Sequence, residues 1–263
     1  MRAFAGAAVL TALGAMRAGA GVVRVAAADS VVARVAGAVP ELTWMALDEE
    51  APGLIAPGGW RRLTSEARRF DAIVIGPGLG SQPATQRRAR QLIASLELPG
   101  VVDADGLNAL AGGARWWQSV HGSMVLTPHP GEFARLAGQA APDGEDDDAR
   151  ATAAAEAAGR WDQVVVLKGA HTVVAEPGGQ RLASAIATPA LATAGSGDVL
   201  AGAIGAFLAA GAEPFSAAAC GVAVHGAAGL IAAERIGSAG VMARDIATLL
   251  PEAIGQLRSD RGR

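Results

Sequence analysis

Five short runs along the chain are apolar at nearly every position: "GVVRVAAAD", "DAIVIG", "GVVDAD", "SMVLTP" and "QVVVLKG". A strand that alternates apolar and polar residues has one wet face. A strand apolar throughout is covered on both, as in parallel sheets flanked by helices. Between most of these runs lie longer stretches of helical character, such as "PATQRRARQLIASLEL" and "DDDARATAAAEAAGR". Near the start, Val9, Leu10, Leu13 and Met16 fall close to helical spacing, which predicts a core-facing helix from about Phe4 to Ala18. From Asp198 onward the pattern predicts three consecutive helices. Strands alternating with helices predict one α/β domain over residues 1–263, with a mostly parallel central sheet. The segment "GQAAPDGEDDDAR" reads as a solvated turn whose aspartates favour the N-terminus of the next helix.

Composition narrows the class. With 263 residues the chain can bury a core without disulfide or metal, and its single cysteine excludes a disulfide framework and points to a reducing cytoplasm. A net charge of −3 with scattered basic residues lacks the footprint of a nucleic-acid binder. Two segments imitate membrane signals. "MRAFAGAAVLTALGAMRAGA" has the outline of a secretory leader, yet it runs into "GVVRVAAAD" without a polar break and reads as a core helix. "PFSAAACGVAVHGAAGLIAA" is uncharged, but its apolarity is mostly Ala and Gly with a Pro and a His included, so it reads as a buried helix and not a span.

The chemistry-bearing residues follow the strands. "GPGLG" follows "DAIVI", "DADGLN" follows "GVV", "TPHPGE" follows "SMVL" and "KGAHT" follows "QVVVL". All four clusters thus sit at carboxyl ends of strands, the edge where open α/β sheets bind ligands. Singly, each has an ordinary reading. Gly76, Gly78 and Gly80 can simply turn the chain, Asp103 and Asp105 can cap a helix beginning near Gly106, His129 can be structural, and Lys168 can be a surface lysine beside a hairpin. "TAGSGD" is less ordinary: Gly195, Ser196 and Gly197 leave backbone amides at a helix N-terminus, which is an anion site. Asp198 beside them either caps that helix or serves as a base. There is no phosphate-binding G-x-x-x-x-G-K-[ST] loop, no dinucleotide fingerprint in the right strand–helix context, no G-x-S-x-G elbow and no metal-ligand spacing.

In order, "RAGAGVVRVA", "AIVIGPGLG", "VVDADGLNAL", "LTPHPGEFARL", "VVLKGAHTVVA", "TPALATAGSGDVLAGAIGAFLAAG" and "HGAAGLIAAERIGSAGVMARDIATLLP" resemble the ribokinase-like family, and within it the ADP-dependent NAD(P)H-hydrate dehydratases. The resemblance implies a three-layer αβα sandwich and a hydro-lyase that restores NADH or NADPH from the S-epimer of their hydrates. ADP, with ATP as alternative, would donate the phosphoryl group and leave as AMP with phosphate, and Mg²⁺ would assist. It further implies that the amides of Gly195, Ser196 and Gly197 hold the phosphoryl group, and that Asp198 is the base. Lys168, Gly169, Ala170, His171, Thr172 and Gly197 would contact the nucleotide. Ala7, Gly78, Gly80, His129 and Asp198 would contact the hydrated dinucleotide, with Asp105, Asn108 and Glu132 in reserve for Mg²⁺ ordering or substrate positioning. A homo-oligomer, a tetramer in the family, and a functional link to an NAD(P)H-hydrate epimerase are implied as well.

The sequence departs from the family pattern twice: "TAGSGD" stands where "TGGTGD" is usual, and the chain opens at the loop that normally follows a first strand. A Val/Ile-rich strand ahead of Met1 is therefore expected. Two other functions use the same fold: a kinase of hydroxymethylpyrimidine or thiazole type, which stops at the phosphorylated product, and a nucleotide-binding protein without turnover.

Overall fold

The structure, a computed structural model, describes residues 5–260. Met1 and Phe4, named above, lie outside the described residues. In chain order the elements are α1 (Ala5–Arg17), β1 (Arg24–Ala28), α2 (Asp29–Val35), β2 (Thr43–Leu47), β3 (Glu49–Ala51), β4 (Leu54–Ile55), α3 (Pro57–Ala67), β5 (Ile73–Ile75), α4 (Pro83–Ser95), β6 (Gly100–Val102) and α5 (Asp105–Ala111). They continue with β7 (Met124–Leu126), α6 (Pro130–Ala137), α7 (Asp147–Trp161), β8 (Val164–Leu167), β9 (Val173–Ala175), β10 (Arg181–Ala183), α8 (Ser196–Ala209), α9 (Pro214–Ile236) and α10 (Ala243–Asp260). The five apolar runs are β1, β5, β6, β7 and β8. Four helices, α3, α4, α6 and α9, open with proline, whose missing N–H falls where a helix has no partner for it.

The main sheet runs β10-β9-β8-β7-β6-β5. Strands β5 to β8 are parallel, and β9 and β10 complete the sheet antiparallel. Because side chains alternate across a strand, the apolar runs divide between two layers. Val101, Val125, Val164, Val166 and Val174 pack with Leu200, Ile204, Ala217 and Ala218 of α8 and α9. Val102, Leu126, Val165, Leu167 and Val173 pack with residues of α4 to α7, including Phe133 and Trp161. A further cluster joins α1, α8, α9 and α10. Helix α9, the span-like segment, is the one helix among the described residues long and apolar enough to cross a membrane, and 61% of that window is buried.

Strands β1 and β2 form a separate parallel pair, so among the described residues β1 is bonded only to β2, and β5 only to β6. An apolar cavity of about 240 Å³ lies between residues 23–26 and residues 72–76, with Gly205 and Ala206 of α8 in its wall. Pairing of Ile75 with Val102, and of Val102 with Leu126, keeps the ends of β5, β6 and β7 level, so the loops after them start side by side.

Candidate active site

The strand-end clusters converge. The loop after β5 turns through positive φ at Gly76 (125°), Gly78 (73°) and Gly80 (91°), conformations that glycine adopts freely. A Cβ at Gly76 would overlap the carbonyl of Asp103, so this glycine also lets the loops after β5 and β6 touch. Between Asp103 and Asp105, Ala104 holds φ 49° and ψ −118°, a strained conformation for alanine. It lets the two carboxylates diverge. Asp105 accepts the Gly80 amide at 2.7 Å, and Asp103 accepts the Lys168 ammonium at 2.7 Å. The helix-cap reading of these two aspartates is therefore corrected: α5 starts at Asp105 with Ala104 as its cap and no side-chain capping bond.

Lys168 is likewise no surface lysine. Its ammonium reaches across the strand ends to Asp103, lies 3.8 Å from Glu132, and sits 3.3 Å from where a Cβ of Gly197 would be. Burial pushes the ammonium toward losing its proton, but Asp103 and Glu132 outweigh burial and hold its pKa above the ordinary lysine value. Glu132 is buried, and burial pushes its pKa up against the pull of Lys168. With His129 it forms a reciprocal cap of α6. His129 Nδ1 accepts the amides of Gly131 at 3.0 Å and Glu132 at 3.4 Å, while Glu132 Oε2 accepts the His129 amide at 2.9 Å. The cap fixes Nδ1 as an acceptor and leaves the imidazole 51% exposed at the strand edge. His129 is thus structural and accessible at once. Asn108 accepts the Arg135 side chain at 2.9 Å.

At the start of α8, Gly195 takes φ 88°. A Cβ there would overlap Leu10 of α1, which is how α1 meets this turn. Ala7 lies one turn earlier and its carbonyl accepts the Thr11 hydroxyl at 3.0 Å. The Ser196 amide already donates to the Thr193 carbonyl at 3.2 Å, which corrects its place among the anion donors; among the described residues the Gly195, Gly197 and Asp198 amides have no such bond. Ser196 is also tied behind the site: its hydroxyl and carbonyl both lie 3.0 Å from His225 Nε2. Burial pushes His225 down to about 4, so it is neutral. Burial first, and Asp103 next, push Asp198 up to about 7 against Lys168, with Glu132 and Asp105 adding to the rise. Asp198 is therefore a carboxyl poised to change protonation near neutrality.

The turn after β8 closes on itself through Thr172, whose hydroxyl donates to the Gly169 carbonyl at 3.2 Å, and His171 Nδ1 lies 2.7 Å from Asp147. Beneath it lies Arg150 of α7, a residue that the acidic run ahead of it makes look solvated. It is 1% exposed. The signal for its burial is in the spacing: Arg150, Ala154, Ala157, Ala158 and Trp161 form one buried helical stripe.

Asp103, Glu132 and Asp198 act on one ammonium, with Asp105 acting on Asp198, an excess of negative charge that a divalent cation would offset. Among the described residues no group of three or more His, Cys, Asp or Glu side chains is placed to hold a metal ion. The site fits Mg²⁺ only as an ion that brings its own waters and phosphate ligands.

A family model described as NAD(P)H-hydrate dehydratase matches residues 1–252. The chain is 41% identical over 255 residues to the bifunctional NAD(P)H-hydrate repair enzyme of Moorella thermoacetica, covering 97% of this chain and 48% of that protein. It is 38% identical to the ADP-dependent (S)-NAD(P)H-hydrate dehydratase of Xanthomonas campestris, covering 96% of this chain and 84% of that one. The chain spans about half the length of the bifunctional relatives it matches. A crystal structure of the Bacillus subtilis ADP/ATP-dependent NAD(P)H-hydrate dehydratase, co-crystallized with ATP and Mg²⁺, superposes with a TM-score of 0.80 at 30% identity, covering 96% of this chain and 87% of that one.

Proposed function

The chain belongs to the NAD(P)H-hydrate dehydratase family, and from that premise we propose that it dehydrates the S-epimer of hydrated NADH and NADPH, using ADP and releasing AMP and phosphate. Its fold is ribokinase-like. The observation that carries the proposal is Asp198, a desolvated carboxyl with a pKa of about 7 in the first turn of α8, beside the Gly197 and Asp198 amides and the Lys168 ammonium.

In this reading the substrate's ring hydroxyl lies against Asp198, which takes its proton as the hydroxyl oxygen attacks the nucleotide's terminal phosphorus. The Gly195, Gly197 and Asp198 amides, with the helix dipole behind them and Lys168 alongside, hold the phosphoryl group where charge develops. Mg²⁺ would be held through phosphates and waters beside Asp105 or Glu132 and would neutralise phosphate charge. The ring C–O bond then breaks as the neighbouring ring nitrogen donates its electron pair. Loss of a proton from the adjacent carbon restores the double bond. Phosphate leaves far more readily than hydroxide, so a kinase-like site serves a dehydration. The turn from Lys168 to Thr172 serves the nucleotide. Ala7, Gly78, Gly80 and His129 serve the hydrated dinucleotide, with Asn108 holding Arg135 on the same helix as Glu132.

A cytoplasmic setting goes with this reading, as does a functional link to an epimerase, supported by the bifunctional relatives. Exposed Leu230, Ile236 and Met242 support a homo-oligomer, to be sized by light scattering. The deciding experiment incubates the protein with hydrated NADH, Mg²⁺ and either ADP or ATP. Restored absorbance of the reduced nicotinamide is expected, and Asp198→Asn should lower its rate at least ~100-fold. Accumulation of a stable phosphorylated product would make the protein a small-molecule kinase, and nucleotide binding without turnover would make it a binding protein.

A further inference from the structure

The buried guanidinium under the turn after β8 has no role in the chemistry above, and its surroundings are unusual. One nitrogen, Nη2 of Arg150, donates toward three carbonyls of this turn: Leu167 at 3.3 Å, Lys168 at 3.2 Å and His171 at 3.5 Å. No carboxylate among the described residues lies within ion-pair distance of it, and its Nε is buried without a partner. A buried cation solvated only by carbonyl dipoles costs more than a neutral group of similar shape would. A stitch between α7 and the turn alone does not need that charge. A Cβ at Gly169 would overlap the guanidinium, so the glycine of "KGAHT" is what admits it.

We propose that Arg150 is a positioning residue for the nucleotide: it holds the carbonyls of the turn inward, so that the Thr172 amide, on the opposite side of the His171 peptide plane, faces the ligand, and it places an unneutralised positive charge behind that amide. The two effects add. Carbonyl and amide of one peptide unit point in opposite directions, so the inward His171 carbonyl fixes the Thr172 amide as an outward donor, while the Lys168 amide donates to the Pro128 carbonyl at 2.9 Å and the Gly169 amide to the Thr172 hydroxyl at 3.4 Å. The buried charge attracts phosphate through a medium that screens it less than water does. Gly169 is accordingly required for Arg150 and not as a ligand contact of its own.

The inference rests on the nucleotide reading of this turn, and the test separates the two. Arg150→Lys keeps the charge but not the fork, Arg150→Ala removes both, and Gly169→Ala displaces the fork with Arg150 present. Binding of ADP with Mg²⁺ is measured by calorimetry, and the Michaelis constants for nucleotide and for hydrated NADH are measured separately. All three variants should weaken ADP binding and raise the nucleotide constant by about tenfold or more, with the hydrated-NADH constant unchanged. Added guanidinium should restore ADP affinity in Arg150→Ala, which loss of packing alone would not allow. If Arg150→Ala fails to fold, Arg150→Lys and Gly169→Ala carry the test. An active parent whose folded variants bind ADP as well as it does overturns the positioning role. A parent that binds ADP but dehydrates nothing overturns the function proposed above and leaves the role of Arg150 standing on the calorimetry.

Discussion

The two faces of the main sheet are packed by opposite means. On the side of α4 to α7, large side chains fill the space: Trp161 lies 5.2 Å from Trp116 and 5.7 Å from Phe133, ring centre to ring centre. On the side of α1, α8, α9 and α10, the contacts are made by small residues that bring backbones together. A Cβ at Gly14 would overlap the Val199 carbonyl, one at Gly202 the Thr11 carbonyl, and one at Gly221 the side chain of Ile204. The first layer gains its stability from buried area. The second gains position, because helices in backbone contact have almost no latitude to slide. The turn with Asp198 belongs to the second layer, so the residue with the strictest geometry stands on the helix with the least freedom.

The largest effect on stability is expected where area matters most. Trp161→Ala removes a fully buried ring and leaves its neighbours around a cavity, at a cost of roughly 3–5 kcal/mol. Urea unfolding should show it, while the folded fraction turns over near the parent rate. A comparable loss of turnover in the folded protein would break the division between the layers.

Gly202→Ala adds one methyl group and should cost less stability, about 1–3 kcal/mol, by forcing α8 away from α1. Its effect on rate should be the greater of the two. A displacement on the order of 1 Å at the start of α8 misplaces Asp198 and its amides, and such errors cost ~100-fold in rate. Normal kinetics in the Gly202→Ala variant would mean that α8 is not held by this contact.

His129→Ala comes third. It removes the acceptor for two amides at the start of α6, worth about 1 kcal/mol by analogy with other N-caps. Since the same imidazole is exposed at the strand edge, the Michaelis constant for hydrated dinucleotide should rise as well. His129→Asn, which can still cap, should recover the stability but not the binding.

The layers also differ in how legible they are. The five apolar runs can be read from the sequence, four of them because the main sheet is covered on both faces, and the three closing helices because they run uninterrupted; β9, apolar and buried at Val173–Ala175, is too short to stand out as such a run. The pair β3 and β4 carries no such pattern: its residues are half-exposed or exposed, with Glu49 and Glu50 among them. The site is legible as a row of strand ends, but not in its pairings. That Lys168 reaches Asp103, 65 residues away, is fixed by strand order and register, which no local spacing encodes. Arg150 hides among aspartates and alanines whose composition resembles a wet helix. Ser196 reads as an anion donor, whereas its amide, hydroxyl and carbonyl are all engaged by the protein.

The smallest effect is a near-cancellation within the same turn. Asp198 titrates at about 7 in the folded protein against an ordinary value of 3.8, so the native state binds more protons between those values and Asp198 makes stability fall as pH rises from about 4 to 7. His225, behind the turn on Ser196, titrates at about 4 against 6.5, so the native state binds fewer protons there and His225 makes stability rise with pH from about 4 to 6.5. The two slopes oppose each other over almost the same window, and their joint contribution should be close to flat. Single variants should expose each slope. In Asp198→Asn the histidine acts alone, and stability should drop more steeply than in the parent as pH falls below about 6.5. In His225→Gln the carboxyl acts alone, and stability should decline as pH rises toward 7. Denaturant midpoints measured at intervals from pH 4 to pH 8 distinguish the cases. Parallel pH profiles for the parent and both variants would show that neither group titrates as its surroundings require, and the neutral-pH proton acceptor assigned to Asp198 would fall with it.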